Sequence, residues 1–361
     1  MPGLMIEPEV LKQYNSHTRK KTMYLWFMFL FMVILSFTGI LLGTGNITLK
    51  DLFDIHSGTG NEINFHILVN LRLPRILAAI ISGAALSVSG VVMQSILRNP
   101  LGSPFTLGIS NAAAFGAAFA IIVMGTGKTY SSNSDAVLLL NPYLTTFSAF
   151  FWSLMAGLLI LLVARKRGAT PENMILTGII ASSLFTALTT GLQYMADDIQ
   201  LSAIVFWTFG DLSRGGWKEL LIQSVIIIPA MIYFFYNRWN YNAIDSGDEA
   251  ALSLGTDINS LRLKGMILTS VTTAAVVSFY GIIAFVGLIV PHIVRRLTGS
   301  NERFLIPGSA LTGATFLLGC DILARTIIRP MILPVGILTS LVGAPLFIFL
   351  LMKGIGSSQW K

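Results

Sequence analysis

A single cysteine, Cys320, stands in 361 residues, and it lies inside an apolar run. One thiol makes neither a disulfide framework nor a thiolate metal site. The four histidines (His17, His56, His66, His292) are scattered, without the H-x-x-H or H-E-x-x-H spacing that sets metal ligands on one helix face. Sequence therefore assigns no metal site, no cofactor and no catalytic cluster. Charge is the larger shortage. Only 11% of residues are Asp, Glu, Lys or Arg, against about 25% in soluble domains, so the chain lacks the polar surface to cover itself in water. With 54% hydrophobic residues and a mean hydropathy of +0.73, it reads as an integral membrane protein. Its apolar runs do not alternate, which excludes a transmembrane barrel and leaves helices, whose backbone groups are satisfied internally. The fold class is all-α and polytopic. The net charge of +7 does not imply nucleic acid, because the cations gather between apolar runs, as cytoplasmic loops do. Met23–Gly43 is longer than a signal h-region and no small-x-small site follows it, so it reads as a retained span.

Apolar runs fall at 23–43, 76–97, 106–124, 143–164, 173–195, 220–236, 304–328 and 334–352, most near the ~20 residues that cross a bilayer. The stretch 265–294 is too long for one crossing, and Gly281, Gly287 and Pro291 can break it. Arg262 and Lys264 precede it while Arg295 and Arg296 follow it. The positive-inside rule places both clusters in the cytoplasm and requires an even number of crossings, hence two helices turning near Gly281. The expectation is about ten transmembrane helices with both termini cytoplasmic. The parts are a tail at 1–22, a membrane domain at 23–353 with a cytoplasmic loop at 237–264, and a tail at 354–361. LRLPRILAAIISGAA (71–85) and LRLKGMILTSVTTAA (261–275) share LRL and a closing AA. The first would run inward and the second outward, as an inverted repeat does. Sixteen of the 24 cations fall on the cytoplasmic side. The remaining eight are Lys50, Arg72, Arg75, Lys128, Arg214, Lys218, Arg325 and Arg329, and the place of Arg72 and Arg75 against the rule suggests a use for them.

The 237–264 loop contains GDEAALSLG (247–255). Asp248 and Glu249 suit the positive end of a helix dipole and Gly255 suits a C-terminal cap, so a short helix is expected, too polar to insert. GTGKT (125–129) resembles the end of a P-loop, but Ile122 stands where the pattern requires glycine. It reads as an external turn that includes Lys128. On the fifth helix Ser182, Thr186, Thr189 and Gln193 follow i, i+4, i+7, i+11, opposite Ile180, Leu184 and Leu188. Such a stripe either lines a path or holds helices together. Asp321 and Arg325 are one turn apart and can pair.

G-x-x-x-A-x-x-L-G (Gly247, Ala251, Leu254, Gly255) resembles the coupling loop of the FecCD-type permeases, the membrane subunits of ABC importers for iron-siderophores, haem and cobalamin. LRLPR (71–75), SGAALSVSGVVMQSILRNPLGSPFTLGIS (82–110), FVGLIVPHIVRRLTG (285–299), GATFLLGCDILAR (313–325) and LPVGILTSLVGAPLFIFLL (333–351) match in family order. The resemblance implies two cytoplasmic ABC ATPase subunits, an external substrate-binding protein and a second permease subunit, identical or not. It assigns ATPase coupling to Gly247, Glu249, Ala251, Leu254 and Gly255, with Ala251 expected to face a groove on the ATPase. It assigns docking of the binding protein to Arg72, Arg75 and Arg325, expected to form an external cationic pocket. It turns the Ser182, Thr186, Thr189 and Gln193 stripe into a pathway lining. Ile332 departs from the glutamate that the family usually carries before LPVG. Haem, siderophore, corrinoid and oxyanion permeases share these motifs. An ion-gradient-driven secondary transporter is the alternative that ten helices also permit. A membrane enzyme has no residue cluster to support it.

Overall fold

The computed structural model describes residues 8–43, 48, 50–51, 61–126, 141–167, 170–328 and 330–352; Lys128 of the GTGKT turn and the 354–361 tail lie outside the described residues. The helices are α1 (Pro8–Leu41), α2 (Glu62–Leu97), α3 (Ile109–Ile122), α4 (Pro142–Arg167), α5 (Pro171–Met195), α6 (Asp198–Thr208) and α7 (Trp217–Tyr236). There follow α8 (Arg238–Asp245), α9 (Asp248–Ser253), α10 (Ile258–Tyr280), α11 (Val286–Thr298), α12 (Glu302–Thr326) and α13 (Val335–Met352). Seven of these (α1, α2, α4, α5, α7, α10, α12) are long and apolar enough to cross a membrane, and α3 and α13 are shorter apolar helices. Among the described residues that makes seven candidate spans and two shorter apolar helices, so the expected count of about ten is approximate. The boundary expected at residue 22 falls inside α1, which is unbroken from Pro8.

The 265–294 stretch does divide, and at the expected place. α10 ends on Gly281, whose φ of 78° lies in the left-handed region, and α11 begins after Phe285 at φ 68°. With 14 and 13 residues, α3 and α11 are about 20 Å long, short of the ~30 Å hydrocarbon thickness. Non-helical backbone at 98–108 and 281–285 covers the difference. Such backbone survives at membrane depth only inside protein, and the 281–285 stretch is walled in, whereas Arg98, Leu101, Phe105 and Thr106 of 98–108 are exposed. A Cβ on Gly210 or on Gly336 would lie 2.2 or 2.6 Å from the Ile282 carbonyl oxygen.

The LRL echo marks a real correspondence. A long helix, a break, a left-handed residue (Gly108 or Phe285) and a half-length helix occur in that order from α2 and again from α10. Packing exchanges accordingly: α2 lies on α12 as α10 lies on α4, and α3 packs on α4 and α5 as α11 packs on α12 and α13. The crossings on α2 are made by glycine. A Cβ on Gly83 would sit 2.3 Å from the Gly313 oxygen, and one on Gly90 only 1.8 Å from the Gly287 oxygen. Backbone-to-backbone contact of this kind is how membrane helices gain packing without a hydrophobic driving force.

Candidate functional site

Chemistry-bearing side chains gather at the two ends of the bundle. At the end where Lys21 lies over the Phe304 ring, the chain turns from α7 through α8 and α9 into α10. Asp248, in the first turn of α9, meets Arg262 at 3.0 Å and Arg98 at 3.7 Å. Arg262 also donates to the Ile96 carbonyl at the end of α2. The short helix is thus pinned to α2 and α10, which it needs, since six residues cannot hold a helix alone. Gly247 and Gly255 carry φ of 115° and 79° with open space around them, so backbone conformation, not room, requires glycine there. Ala251 is 0% exposed. Its methyl faces this chain's own core, which corrects the expectation that it meets an ATPase groove. The outward side chains are Leu252 and Leu254, 62% and 72% exposed, with Glu249 exposed beside them. Leu252 was missed because the faces of a six-residue helix are set by its neighbours, not by a repeat.

Beneath this helix four elements meet on a polar cluster. Ser95 Oγ donates to Glu302 at 3.0 Å and to Asp245 at 3.4 Å. Arg295 donates to Gln94 at 2.9 Å. A cavity of about 530 Å³ opens on Asp245, Arg295, Asn242 and Asn301. Burial raises the Asp245 carboxyl above its ordinary value, and neither Arg295 nor Ser95 fully offsets that. The folded state therefore favours the protonated acid. Its contribution is complete below the ordinary carboxylate value and is lost as pH rises through the raised one. We expect the unfolding midpoint of the wild-type chain to fall between roughly pH 4 and 7. Asp245→Asn should flatten that slope, as differential scanning of the two proteins across the range will reveal.

At the opposite end Arg72, Arg75 and Arg325 do come together, but they are turned inward, with exposures of 4%, 6% and 4%. Arg72 donates to the Ile40 and Leu41 carbonyls, and Arg325 donates to those of Gly39 and Leu42. These are the carbonyls that the last turn of α1 leaves without partners, and a cation there also suits the helix dipole. Arg214 does the same for α6, donating to Trp207 at 2.9 Å. Arg75 bonds Asp321 at 2.8 Å and pairs with Asp211 at 3.5 Å, while Arg325 pairs with Asp321 at 3.1 Å. The free cationic pocket expected from sequence is instead an ion-pair and capping network, with a cavity of about 340 Å³ between Arg72, Arg75, Arg325 and Ile332. The Asp321–Arg325 pair was legible at one-turn spacing. The partners Asp211 and Arg75 were not, because 246 residues separate Arg75 from Asp321. A π-helical stretch, Ile67–Arg72, precedes Pro74. Widening that turn lets a residue without an N–H sit where the helix continues.

On α5 the four stripe residues occupy different surroundings. Ser182 accepts from Asn111, Thr186 is exposed, Thr189 is buried and donates to the Phe185 carbonyl, and Gln193 is half-buried. The exposed hydroxyl line is Ser183, Thr186 and Thr190. Thr186 and Thr190 return their protons to carbonyls four residues back, which lowers the cost of facing an apolar neighbour.

The FecCD transport family model matches residues 29–353. The chain belongs to that family. It is 49% identical over 345 residues to an ABC transporter permease protein of Methanocaldococcus jannaschii, covering 96% of this chain and 98% of the relative. It is 36% identical to the hemin transport system permease protein of Yersinia pestis, over 91% of this chain and 95% of that one. It is 32% identical to the vitamin B12 import system permease protein of Vibrio vulnificus, over 89% and 92%. Among solved structures, a metal-chelate type ABC transporter in an inward-facing conformation superposes with a TM-score of 0.79 at 32% identity, covering 91% of this chain and 98% of that one. This FecCD chain is therefore the multi-pass permease subunit of an ABC importer, and the secondary-transporter alternative is set aside. The glycine crossings lie in the stretches that carried the resemblance: Gly83 and Gly90 in 82–110, Gly287 in 285–299, and Gly313 in 313–325.

Proposed function

We propose that this permease moves a metal chelate of the siderophore, haem or corrinoid class inward, driven by ATP hydrolysed on two cytoplasmic ABC ATPase subunits. The end carrying α9 faces the cytoplasm, because Lys21, Arg98, Arg262 and Arg295 gather there, which is the charge bias of cytoplasmic loops. Both termini then lie inside, with the 1–22 and 354–361 segments flanking the 23–353 membrane domain. A second permease subunit completes the path between α5 helices, along Ser182, Thr186, Thr189 and Gln193. A substrate-binding protein docks at the outer end above Arg72, Arg75 and Arg325. Arginine forks grouped at that end suit the carboxylates of an acidic partner surface. Lipid surrounds the rest, and no nucleic acid is involved.

The observation that carries the proposal is α9 itself. It is pinned to α2 and α10 through Asp248 and presents Leu252 and Leu254 outward, so a push on it reaches two core helices. Gly247, Glu249 and Gly255 shape that lever, and Ala251 seats it. Leu252→Asp combined with Leu254→Asp should lower ATP-driven uptake at least about ten-fold, a loss of roughly 1.4 kcal/mol of coupling. The chain should fold as before, since both side chains are exposed. Uptake at the wild-type rate would show that α9 is not the lever. The cargo class is read from the ligand that co-purifies with the cognate binding protein: a metal chelate is expected, and a sugar or a free amino acid would contradict it.

A further inference from the structure

The helix α7 has 20 residues and is about 30 Å long, matching the hydrocarbon thickness of a bilayer. Trp217 opens it and Tyr236 closes it, so aromatic side chains stand at both membrane surfaces, as in interfacial belts. One face packs on α2 and α10, and the other shows Val225, Ile228 and Ile232, each more than half exposed. Just past Tyr236 the chain bends at Asn237 into α8, which buries Tyr241 and Ile244 and begins with Arg238 and Trp239. A groove of about 840 Å³ lies at this bend, inside the ~300–1,000 Å³ range of ligand clefts. Ile228, Ile232 and Phe235 make its apolar wall, and Tyr236, Arg238 and Trp239 make its polar end.

Arg238 is held in place but has no anionic partner. Its guanidinium lies over the Phe235 ring, 6.0 Å from the centroid, and it forms no ion pair among the described residues. Its Nε is buried without a hydrogen-bond partner, which costs free energy until an acceptor reaches it. We propose that the groove binds an anionic phospholipid: the phosphate accepts from the Arg238 guanidinium, the headgroup rests against Tyr236 and Trp239, and an acyl chain follows Ile228 and Ile232. The guanidinium fork suits phosphate because two N–H bonds can reach one group. A zwitterionic lipid fits less well, since among the described residues no carboxylate lines the groove to receive its ammonium. A free phosphate would leave the apolar wall uncovered. The second permease subunit and the binding protein are placed at α5 and at the other end of the bundle, so neither takes this face. The inference needs the membrane reading of the chain but neither docking nor ATP.

The test uses the delipidated full chain in detergent, titrated with phosphatidylglycerol or with phosphatidylcholine of the same acyl chains and read by native mass spectrometry. Phosphatidylglycerol should bind saturably and at least about five-fold more tightly, the usual contribution of one cation close to anionic lipid. Arg238→Gln should bring the two lipids level. Arg238→Lys should restore part of the preference, because it keeps the charge without the fork. Both variants should fold as the wild type does, since Arg238 holds no carboxylate of the chain. Arg303→Gln, which removes an exposed cation at the same end of the bundle, should leave the preference unchanged. Glycerol phosphate, a headgroup without chains, should not displace the lipid at equal concentration. Equal binding of the two lipids would overturn the proposal. An equal loss in Arg303→Gln would also overturn it, by reducing the preference to general surface attraction. Displacement by glycerol phosphate would make the groove a free-phosphate site, and a preference that vanishes when the ATPase partner binds would give the groove to that partner; either contradicts the proposal. ATP-driven uptake is measured separately, so failure here leaves the transport reading standing.

Discussion

Gly90→Leu should yield no folded permease, while Gly191→Leu should be recovered like the wild type. Both glycines lie within long apolar helices, so composition and helix propensity treat them alike. Their surroundings separate them. A Cβ on Gly90 would stand 1.8 Å from the Gly287 oxygen and 2.8 Å from its Cα, whereas one on Gly191 meets nothing within 4 Å. Backbone cannot give way as a flexible side chain can, so α2 and α11 would have to separate. That would open the crossing at which the half-length helix is seated. Even Gly90→Ala should reach the top of the roughly 1–3 kcal/mol range for overpacked sites. The check is yield and size-exclusion profile for the leucine variants and thermal midpoint for the alanine one. A monodisperse Gly90→Leu protein would mean that α2 and α11 do not touch.

Arg75→Leu should destabilise the chain by about 3–5 kcal/mol, the usual effect of leaving a buried charge without its partner. Asp321 is 0% exposed and would keep only Arg325, and Asp211 would lose its ion pair with Arg75 while keeping its hydrogen bonds from Ser213. Adding Asp321→Asn to Arg75→Leu should recover part of the loss, because the second change removes the stranded charge, and the two effects would be non-additive. The comparison is made on thermal midpoints in one detergent. Strict additivity would mean that Arg75 and Asp321 do not interact. The same geometry limits how docking can be probed. Charge reversal at Arg72 or Arg75 would disturb the cap of α1 or the Asp321 pair, so a lost complex would not by itself report on docking.

Much of this architecture was legible in the chain, for identifiable reasons. The membrane class follows from too little charge to face water, and the break at Gly281 follows from cations on both sides of an overlong run. The repeat was visible as LRL at 71–73 and 261–263. It became persuasive only when both long helices were seen to end in a break and a half-length helix. The run at 106–124 reads as one span, yet Thr106, Leu107 and Gly108 are non-helical, the last two buried in the protein. Hydropathy cannot separate those states, because buried loop and buried helix are equally apolar. Ala251 was placed on the wrong face because six residues set no periodicity that outweighs tertiary contact. The arginines of the outer end were noticed because they break the charge rule. Their capping of α1 was hidden because helix ends 32 and 286 residues apart in sequence meet only in the fold.

The central claim is that this chain provides the path and another chain the energy. It is tested by uptake into liposomes that hold the purified permease, with and without its ATPase partner. The cognate binding protein and its ligand are supplied outside. The account predicts uptake when the ATPase and internal ATP are both present, and none with the permease alone under a proton or sodium gradient. Uptake by the permease alone, driven by either gradient, would contradict it.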